Sequence, residues 1–325
     1  MRRRALLRAA WPSALCPALF AQPALAQVAR APRHVGVLSV STEAAFASSL
    51  QGLREGLTAR GHVEGGDIVI DVRYAGGRAQ ELPRLASELA ALKPALIVAT
   101  GAAATAAALA ATTDVPVVAL GDLVAAGHAA QLNRPGGRVT GVSFLPGPLN
   151  AKRLELLATV LPKGGAVLNL GDPNSVVGTE SVEAAGRSLG LVLHAAYATS
   201  PAQIDAAFAS ARRLRVAGVN VLNSPFLSLH HGRIIALAAE ARLPAIYQWP
   251  ESARDGGLMG YGPSLIAMFR QLAGFASRLL AGARAADLPI EQPTRIELSI
   301  NLKTAKALGL ALPESLRLRA DEVIE

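Results

Sequence analysis

The chain has 325 residues, of which 51% are hydrophobic and 17% are charged. This length and composition allow a large buried core, suggest two domains, and exclude low-complexity and intrinsically disordered classes. The formal net charge is +8, but the first 26 residues hold four arginines and no acid, so the 28 basic and 24 acidic residues that follow leave only +4. These basic residues form no stripe with interleaved aromatics, and we expect no nucleic acid partner.

The N-terminus predicts a cleavable signal peptide over residues 1–26. Arg2, Arg3 and Arg4 form a basic region, residues 9–21 are mostly apolar, and residues 24–26 form an A-x-A cleavage site. The paired arginines also fit a twin-arginine signal, and the pattern does not decide between Sec and Tat export. The stretch is too short and too interrupted by proline for a membrane anchor, which needs about 20 continuous apolar residues. We expect a periplasmic protein.

The single cysteine, Cys16, lies inside this predicted signal. Cleavage after Ala26 therefore leaves no disulfide, thiol nucleophile or thiolate metal site. An alternative interpretation makes Cys16 a lipid-modified N-terminus. Leu15 stands next to it, however, where such a signal wants a small residue, so we favour cleavage after Ala26.

Strands and helices alternate along the following residues, which predicts a first α/β lobe. The predicted strands are 34–40, 68–72, 95–99, 115–120 and 139–143. The first predicted helix follows 34–40, because Phe46, Leu50, Leu53 and Leu57 recur at helical spacing, and further helices are predicted at 82–92 and 102–111. Strands this continuously apolar are typical of a parallel sheet that is buried on both faces.

The same pattern restarts after residue 143. Helices are predicted at 149–161, 175–189, from 201 onward and at 228–241, and strands at 166–170, 191–197, 218–222 and 245–248. Two consecutive runs of this kind predict an α/β fold with two doubly wound parallel-sheet lobes.

The C-terminal segment predicts that the chain crosses between the lobes more than once. A strand at 258–261, a helix at 264–280, a strand at 295–300 and a helix at 303–308 are too few for a third domain. We assign residues 33–142 and 258–291 to the N-terminal lobe and residues 143–257 and 292–325 to the C-terminal lobe. Crossings near Ser143, Gly257 and Gln292 then form a multi-strand hinge beside a cleft, where small ligands usually bind.

A search for catalytic motifs finds no G-x-S-x-G, no phosphate-binding G-x-x-x-x-G-K-[ST], no H-E-x-x-H and no dinucleotide fingerprint. His230 and His231 point about 100° apart on a helix, which favours a solvated helix start over a metal site. Loop acids favour turn capping over catalysis; they are Asp114, Asp122, Asp172 and Asp255. We predict no catalytic residue, no metal and no cofactor.

Small polar residues recur where predicted strands end, which is where α/β folds place ligands. In the first lobe they are Ser39, Ser41, Thr42, Thr100, Gly101, Gly121 and Asp122. In the second lobe they are Asp172, Asn174, Ser175, Asn223 and Ser224. Residues 100–103 also open a helix whose free N–H groups suit a carboxylate, although an ordinary helix cap has the same pattern. The set favours binding over chemistry.

Several longer motifs resemble a known family. Residues 115–127, 132–143 (LNRPGGRVTGVS), 151–157 and 256–263 are similar to ABC-transporter substrate-binding proteins of the family that includes tryptophan- and phenylalanine-binding members. Residues 288–309 and 319–325 are similar to a large subgroup of that family. The resemblance covers the chain from His34 onward.

The resemblance implies a type I periplasmic-binding-protein fold, a small-molecule solute between two closing lobes, and delivery to an ABC permease in the inner membrane. It implies no catalysis and no cofactor. The cleft would be lined by the polar residues named above together with Ala102 and Pro225. Three aromatic residues would lie near it, namely Tyr247, Trp249 and Tyr261.

One departure from the family pattern concerns the solute. Amino-acid-binding relatives carry an Asp in the loop that corresponds to residues 223–226, and this chain has no acid there. A buried ammonium without an anion is costly, so an α-amino acid is in doubt unless Asp122, Asp172 or Glu251 takes that place. We therefore expect a small solute that is aromatic or carries a carboxylate.

Three functional hypotheses follow. The first is a monomeric periplasmic receptor for ABC import. The second is a periplasmic sensor that presents its solute to a membrane receptor, and the third is an exported α/β enzyme. Related cytoplasmic repressors are excluded, since this chain has a predicted signal peptide where they carry a helix-turn-helix.

Overall fold

The computed structural model describes residues 31–143, 146–175 and 179–325. The predicted signal peptide, with Cys16, lies outside these ranges. Within them, no helix is both long enough and apolar enough to cross a membrane. Residues 32–325 form one unit that contains two β-sheets.

Five parallel strands form the first sheet. They are β1 (Arg33–Ser39), β2 (Ile68–Tyr74), β3 (Leu96–Thr100), β4 (Val117–Leu120) and β5 (Val139–Val142). Their order across the sheet is β2-β1-β3-β4-β5. The connecting helices are α1 (Glu43–Thr58), α2 (Leu82–Ala91) and α3 (Ala102–Ala111). Neighbouring residues of β3 enter different cores, since Val98 packs with α1 while Ile97 and Ala99 pack with α2 and α3; both faces are therefore buried, as the apolar run predicted.

Seven strands form the second sheet. They are β6 (Ala166–Gly171), β7 (Val192–Tyr197), β8 (Gly218–Val221), β9 (Ala245–Tyr247), β10 (Met259–Gly262), β11 (Glu297–Asn301) and β12 (Glu322–Ile324). Their order is β12-β11-β10-β9-β8-β6-β7, with β10 and β11 antiparallel. The helices of the later chain are α4 (Pro146–Ala158), α5 (Thr179–Ser188), α6 (Pro201–Arg213), α7 (Pro225–Leu229), α8 (His231–Glu240), α9 (Glu251–Arg254), α10 (Leu265–Leu280), α11 (Leu302–Ala307) and α12 (Glu314–Leu318).

The predicted middle crossing near Gly257 is wrong. β10 pairs with β9 and β11, so it belongs to the second sheet rather than to the first lobe. The chain returns to the first lobe only at Ser264, the N-cap of α10, which then packs along α1 and the first sheet. Of the range 258–291 assigned to the N-terminal lobe, residues 258–262 therefore lie in the C-terminal lobe.

Two glycines explain why β10 fits where it does. A β-carbon at Gly260 would lie 2.1 Å from the Trp249 carbonyl oxygen, and one at Gly262 would lie 2.1 Å from the Gln248 carbonyl oxygen. Only glycine lets β10 approach the segment after β9 this closely. A four-residue apolar strand carries no sign of the sheet that it joins, and the glycine contacts appear only in three dimensions.

The chain passes between the lobes three times: after β5, after β10 and before β11. The last crossing is fastened to the first sheet just before it leaves. Glu291 donates its N–H to the Gly141 carbonyl at 3.0 Å and accepts from the Ser143 N–H at 2.9 Å. The first and third crossings therefore run side by side where they leave the first sheet.

Candidate functional site

Each sheet has a topological switch point, which is the place where the chain connections leave two neighbouring strands in opposite directions. These strands are β1 and β3 in the first sheet and β6 and β8 in the second. Ligands of open α/β sheets bind beyond the carboxyl ends of such strands. At the first point the Thr100 hydroxyl donates to Ser39 Oγ at 3.1 Å, and at the second the Ser224 hydroxyl donates to Asp172 at 2.8 Å.

A cleft of about 440 Å³ lies between these two points and is lined from both lobes. The lobes approach each other closely at two glycines: a β-carbon at Gly77 would lie 2.7 Å from Leu229 Cδ2, and one at Gly101 would lie 3.8 Å from Pro225 Cγ. Eleven of the residues predicted from sequence line it. They are Ser39, Ser41, Thr100, Gly101, Ala102, Gly121 and Asp122 in the first lobe and Ser175, Asn223, Pro225 and Trp249 after strands of the second.

Other predicted residues support the cleft without lining it. Thr42 is exposed and caps α1 through the Ala45 N–H. Ser224 and Asp172 are buried and bond to each other, and Ser224 also caps α7. Asn174 lies in the turn Pro173–Ser175, and its side chain is outside the described part of the structure.

Two of the three predicted aromatic residues do not face the cleft. Tyr247 is 2% exposed in the core of the second lobe, and this burial raises the pKa of its hydroxyl. Tyr261 packs against the core around β10 and β11. Strand residues alternate between faces, and the sequence alone does not show which face of β9 or β10 meets the cleft.

Trp249 connects the two lobes. Its indole N–H donates to Ser228 Oγ at 2.9 Å, while its ring packs into the first-lobe core with Phe46 and Phe269. Ser228 is held in turn, since it also accepts from Gln248 Nε2 at 2.7 Å. From Gln27 onward the sequence contains no other tryptophan.

The apolar end of the cleft was missed by the sequence analysis. Phe46 of α1 and Phe269 of α10 line it, with ring centroids 5.2 Å apart in an edge-to-face arrangement. Leu265 completes this wall beside Trp249. An apolar residue on a helix gives the same sequence signal whether it faces a closed core or a cleft.

The first turn of α3 forms another part of the lining. Gly101 precedes this helix with φ +88°, and no side chain caps the helix. Gly101 and Ala102 both line the cleft. The first backbone N–H groups of a helix and its positive dipole end suit a carboxylate.

Acids line the cleft, and no Lys or Arg does so among the described residues. Asp122 accepts from the Ala125 N–H at 3.2 Å. Asp255 is 3.0 Å from His231 Nε2, and His231 Nδ1 is 2.9 Å from the Ser228 carbonyl oxygen. A carbonyl oxygen only accepts, so Nδ1 donates to Ser228, and Nε2 faces the Asp255 carboxyl group. His231 thus does more than the solvated helix start that the sequence suggested.

Glu251 is the third lining acid, and its two oxygens differ. Oε1 accepts from the Ser264 hydroxyl and from the Leu265 N–H, both at 2.9 Å. Oε2 is buried and has no hydrogen-bond partner among the described residues. Burial raises the pKa of this carboxyl group.

A buried arginine holds the strand ends behind the cleft. Arg153 of α4 is fully buried, and burial lowers its pKa to about 9. It donates to the carbonyls of Tyr261 and Gln248, at 2.7 and 3.2 Å, and to Asn150 Oδ1 at 2.6 Å. Asn150 Oδ1 also accepts from the Asn223 N–H at 3.2 Å, which fixes the start of the loop after β8.

One hydrogen-bond chain outside the cleft has the residue types of a hydrolase triad. His62 lies 3.0 Å from Ser277 Oγ and 2.8 Å from Asp67. Ser277 lies within α10, where the neighbouring backbone N–H groups are used by the helix and cannot stabilise an oxyanion. The described residues also contain no group of three or more metal-ligating side chains. The chain of bonds fastens the loop after α1 to α10.

Two α/β lobes, three crossings and a cleft at both switch points define the type I periplasmic-binding-protein fold. The chain belongs to the ABC transporter substrate binding protein family, whose sequence model matches residues 34–324. The family resemblance and the fold predicted from sequence are thereby confirmed. Members of this family are solute-binding proteins rather than enzymes.

Individual relatives agree with this assignment. A tyrosine-binding protein of Clostridioides difficile is 27% identical over 288 residues, covering 86% of this chain and 81% of that protein. A structure from Streptococcus pneumoniae in complex with L-Trp is 23% identical with a TM-score of 0.82, covering 90% of this chain and 100% of that one. A conserved domain protein from Vibrio cholerae is 24% identical with a TM-score of 0.82, covering 90% and 99%. These two structures share the fold.

Proposed function

We propose that this protein is a periplasmic receptor that binds a small solute between its lobes and delivers it to an ABC permease in the inner membrane. The observation that carries the proposal is the cleft itself. It is lined at the switch points of both sheets by hydroxyl, amide and backbone groups, with an aromatic wall at one end. Such a site offers hydrogen bonds and apolar contact, which suits reversible binding of a small solute.

The lining favours a solute with two different ends. Phe46, Phe269 and Trp249 suit an aromatic or large apolar group, and the first turn of α3 suits a carboxylate. The tyrosine-binding relative and the L-Trp complex carry solutes of this kind. We therefore infer an aromatic or carboxylate-bearing solute.

Binding would couple to closure because the proposed contacts come from both lobes. Ser39, Ser41 and Thr100 lie in the first lobe, and Asn223 and Pro225 lie in the second. A solute that touches both sets stabilises the closed arrangement over the open one. Closure then presents the surfaces of both lobes together to the permease.

The decisive experiment uses the chain from Gln27 onward, unfolded and refolded to remove any carried-over solute. Aromatic acids, amino acids and other small carboxylates are screened by thermal shift and by Trp249 fluorescence. We expect one chemical class to raise the melting temperature in a concentration-dependent manner and to change the fluorescence. No response to any compound, together with turnover of one of them, would favour an exported enzyme.

A further inference from the structure

We propose that Arg153 is a positioning residue for solute binding, which joins the second-lobe lining of the cleft to the crossing after β10 so that the two move together. Arg153 lies behind the lining and is not part of it. The inference rests on the proposed function and adds to it a residue that acts on the site through other groups.

The acceptors around Arg153 carry no charge. Its side chain is fully buried, and its hydrogen bonds within the described residues go to two backbone carbonyls and one amide oxygen. Burial of a cation without a counter-charge is unfavourable, and apolar residues often replace buried charges without loss of stability. Stability therefore does not explain an arginine at this position, whereas a geometric requirement does.

The guanidinium continues the link between two strands beyond the point where their pairing ends. β9 and β10 pair only as far as Tyr247 and Gly260. The carbonyls of Gln248 and Tyr261 lie one residue further along, and Arg153 donates to them at 3.2 and 2.7 Å. The end of β10 and the segment after β9 are therefore held by one side chain.

The same guanidinium is connected to two segments of the lining. Gln248 directly precedes Trp249 in the chain. On the other side, Arg153 donates to Asn150 Oδ1 at 2.6 Å, and this oxygen also accepts from the Asn223 N–H at 3.2 Å. Trp249 and Asn223 both line the cleft. A displacement of Arg153 therefore shifts the lining at both places.

Two of the crossings between the lobes meet at this group. Tyr261 stands shortly before Ser264, where the chain reaches the first lobe after β10. Arg153 itself belongs to α4, the first helix after the crossing that follows β5. A planar fork with several N–H donors can hold acceptors on separate segments at once, which a single ammonium nitrogen cannot do. Opening and closing of the lobes thus reaches the lining through Arg153.

The first test follows backbone hydrogen exchange of the solute-free protein by mass spectrometry. Arg153→Met has a side chain of similar length and no donor. We expect it to exchange about tenfold faster in residues 222–228, 246–252 and 259–263, as the loss of a hydrogen bond in each segment predicts. Arg153→Lys should show a smaller rise in the same three segments, and it decides the test if Arg153→Met does not fold.

Phe208→Leu is the control for a general loss of stability. Phe208 of α6 is buried in the core on the face of the second sheet opposite to α4. We expect this variant to raise exchange in α6 and its surroundings without singling out the three segments. A rise in the Arg153 variants that is spread over the lobe as in Phe208→Leu, or no rise in the three segments, would overturn the inference.

The second test measures whether the positioning affects binding. Calorimetry determines the affinity for three probes: L-tryptophan, L-tyrosine and 3-phenylpropionate. We expect the Arg153 variants to weaken every probe that the wild type binds about tenfold or more, and Phe208→Leu to leave the affinity unchanged. Equal affinities of the wild type and the Arg153 variants would overturn the inference and leave the proposed function standing.

The two proposals fail separately. Hydrogen exchange needs no solute, so it decides the inference even if the wild type binds none of the three probes. The proposed function falls only when the wider solute screen gives no response.

Discussion

At the scale of single residues, Glu251 links the stability of the fold to pH. Burial raises the pKa of its carboxyl group above the ordinary value of 4.5. The folded state therefore holds this proton more tightly than the unfolded state, and acidification through the raised pKa stabilises the fold. The buried, ionised carboxylate destabilises the fold. This destabilisation is fully present above the raised pKa and is lost below the ordinary pKa.

This linkage gives a prediction for the solute-free protein. Glu251→Gln removes the titration, so its melting temperature minus that of the wild type should be lower at about pH 4.5 than at about pH 7.5. Thermal unfolding of both proteins in a buffer series measures the difference, in which all other titrating groups cancel. A difference that stays constant with pH would contradict the raised pKa.

At the scale of elements, the glycines of β10 are needed because backbone lies where a side chain would be. We predict that Gly260→Ala destabilises the fold by about 2 to 4 kcal/mol, since its β-carbon would meet the Trp249 carbonyl at 2.1 Å. Denaturant unfolding measures the loss. The matched control is Gly232→Ala in α8, where a β-carbon has open space, and there we expect a gain of up to about 1 kcal/mol. Equal effects at the two sites would show that the contact at Gly260 relaxes.

At the scale of elements, the sequence predicted most of the fold and part of the cleft. Alternating apolar strands and amphipathic helices predicted both lobes, because burial on two faces leaves a distinct hydrophobic pattern. Polar residues at strand ends predicted most of the hydrogen-bonding lining, because switch points follow from strand order. The aromatic wall was missed, since Phe46 and Phe269 resemble core residues, and β10 was misplaced, since its sheet is chosen by contacts at Gly260 and Gly262.

At the scale of the whole molecule, Gly77 of the first lobe lies so close to Leu229 of the second that a β-carbon there would stand 2.7 Å from Leu229 Cδ2. We predict that Gly77→Val weakens solute binding and enlarges the radius of gyration at saturating solute, measured by small-angle scattering. Gly77 has φ +84°, so backbone strain must be controlled. Gly76→Val provides that control, because Gly76 also has a positive φ but only Arg78 of its own lobe near its β-carbon position. Equal behaviour of the two variants would contradict a role for the Leu229 contact.

The three crossings between the lobes have a consequence for how such a receptor adapts. Three tethers restrict how the lobes move relative to each other, and we describe their opening and closing by one free energy. The observed affinity equals the intrinsic affinity scaled by the population of the competent arrangement. Substitutions at interlobe contact points outside the lining, such as Gly77, can therefore set the solute concentration at which the receptor fills, while every group that recognises the solute stays the same.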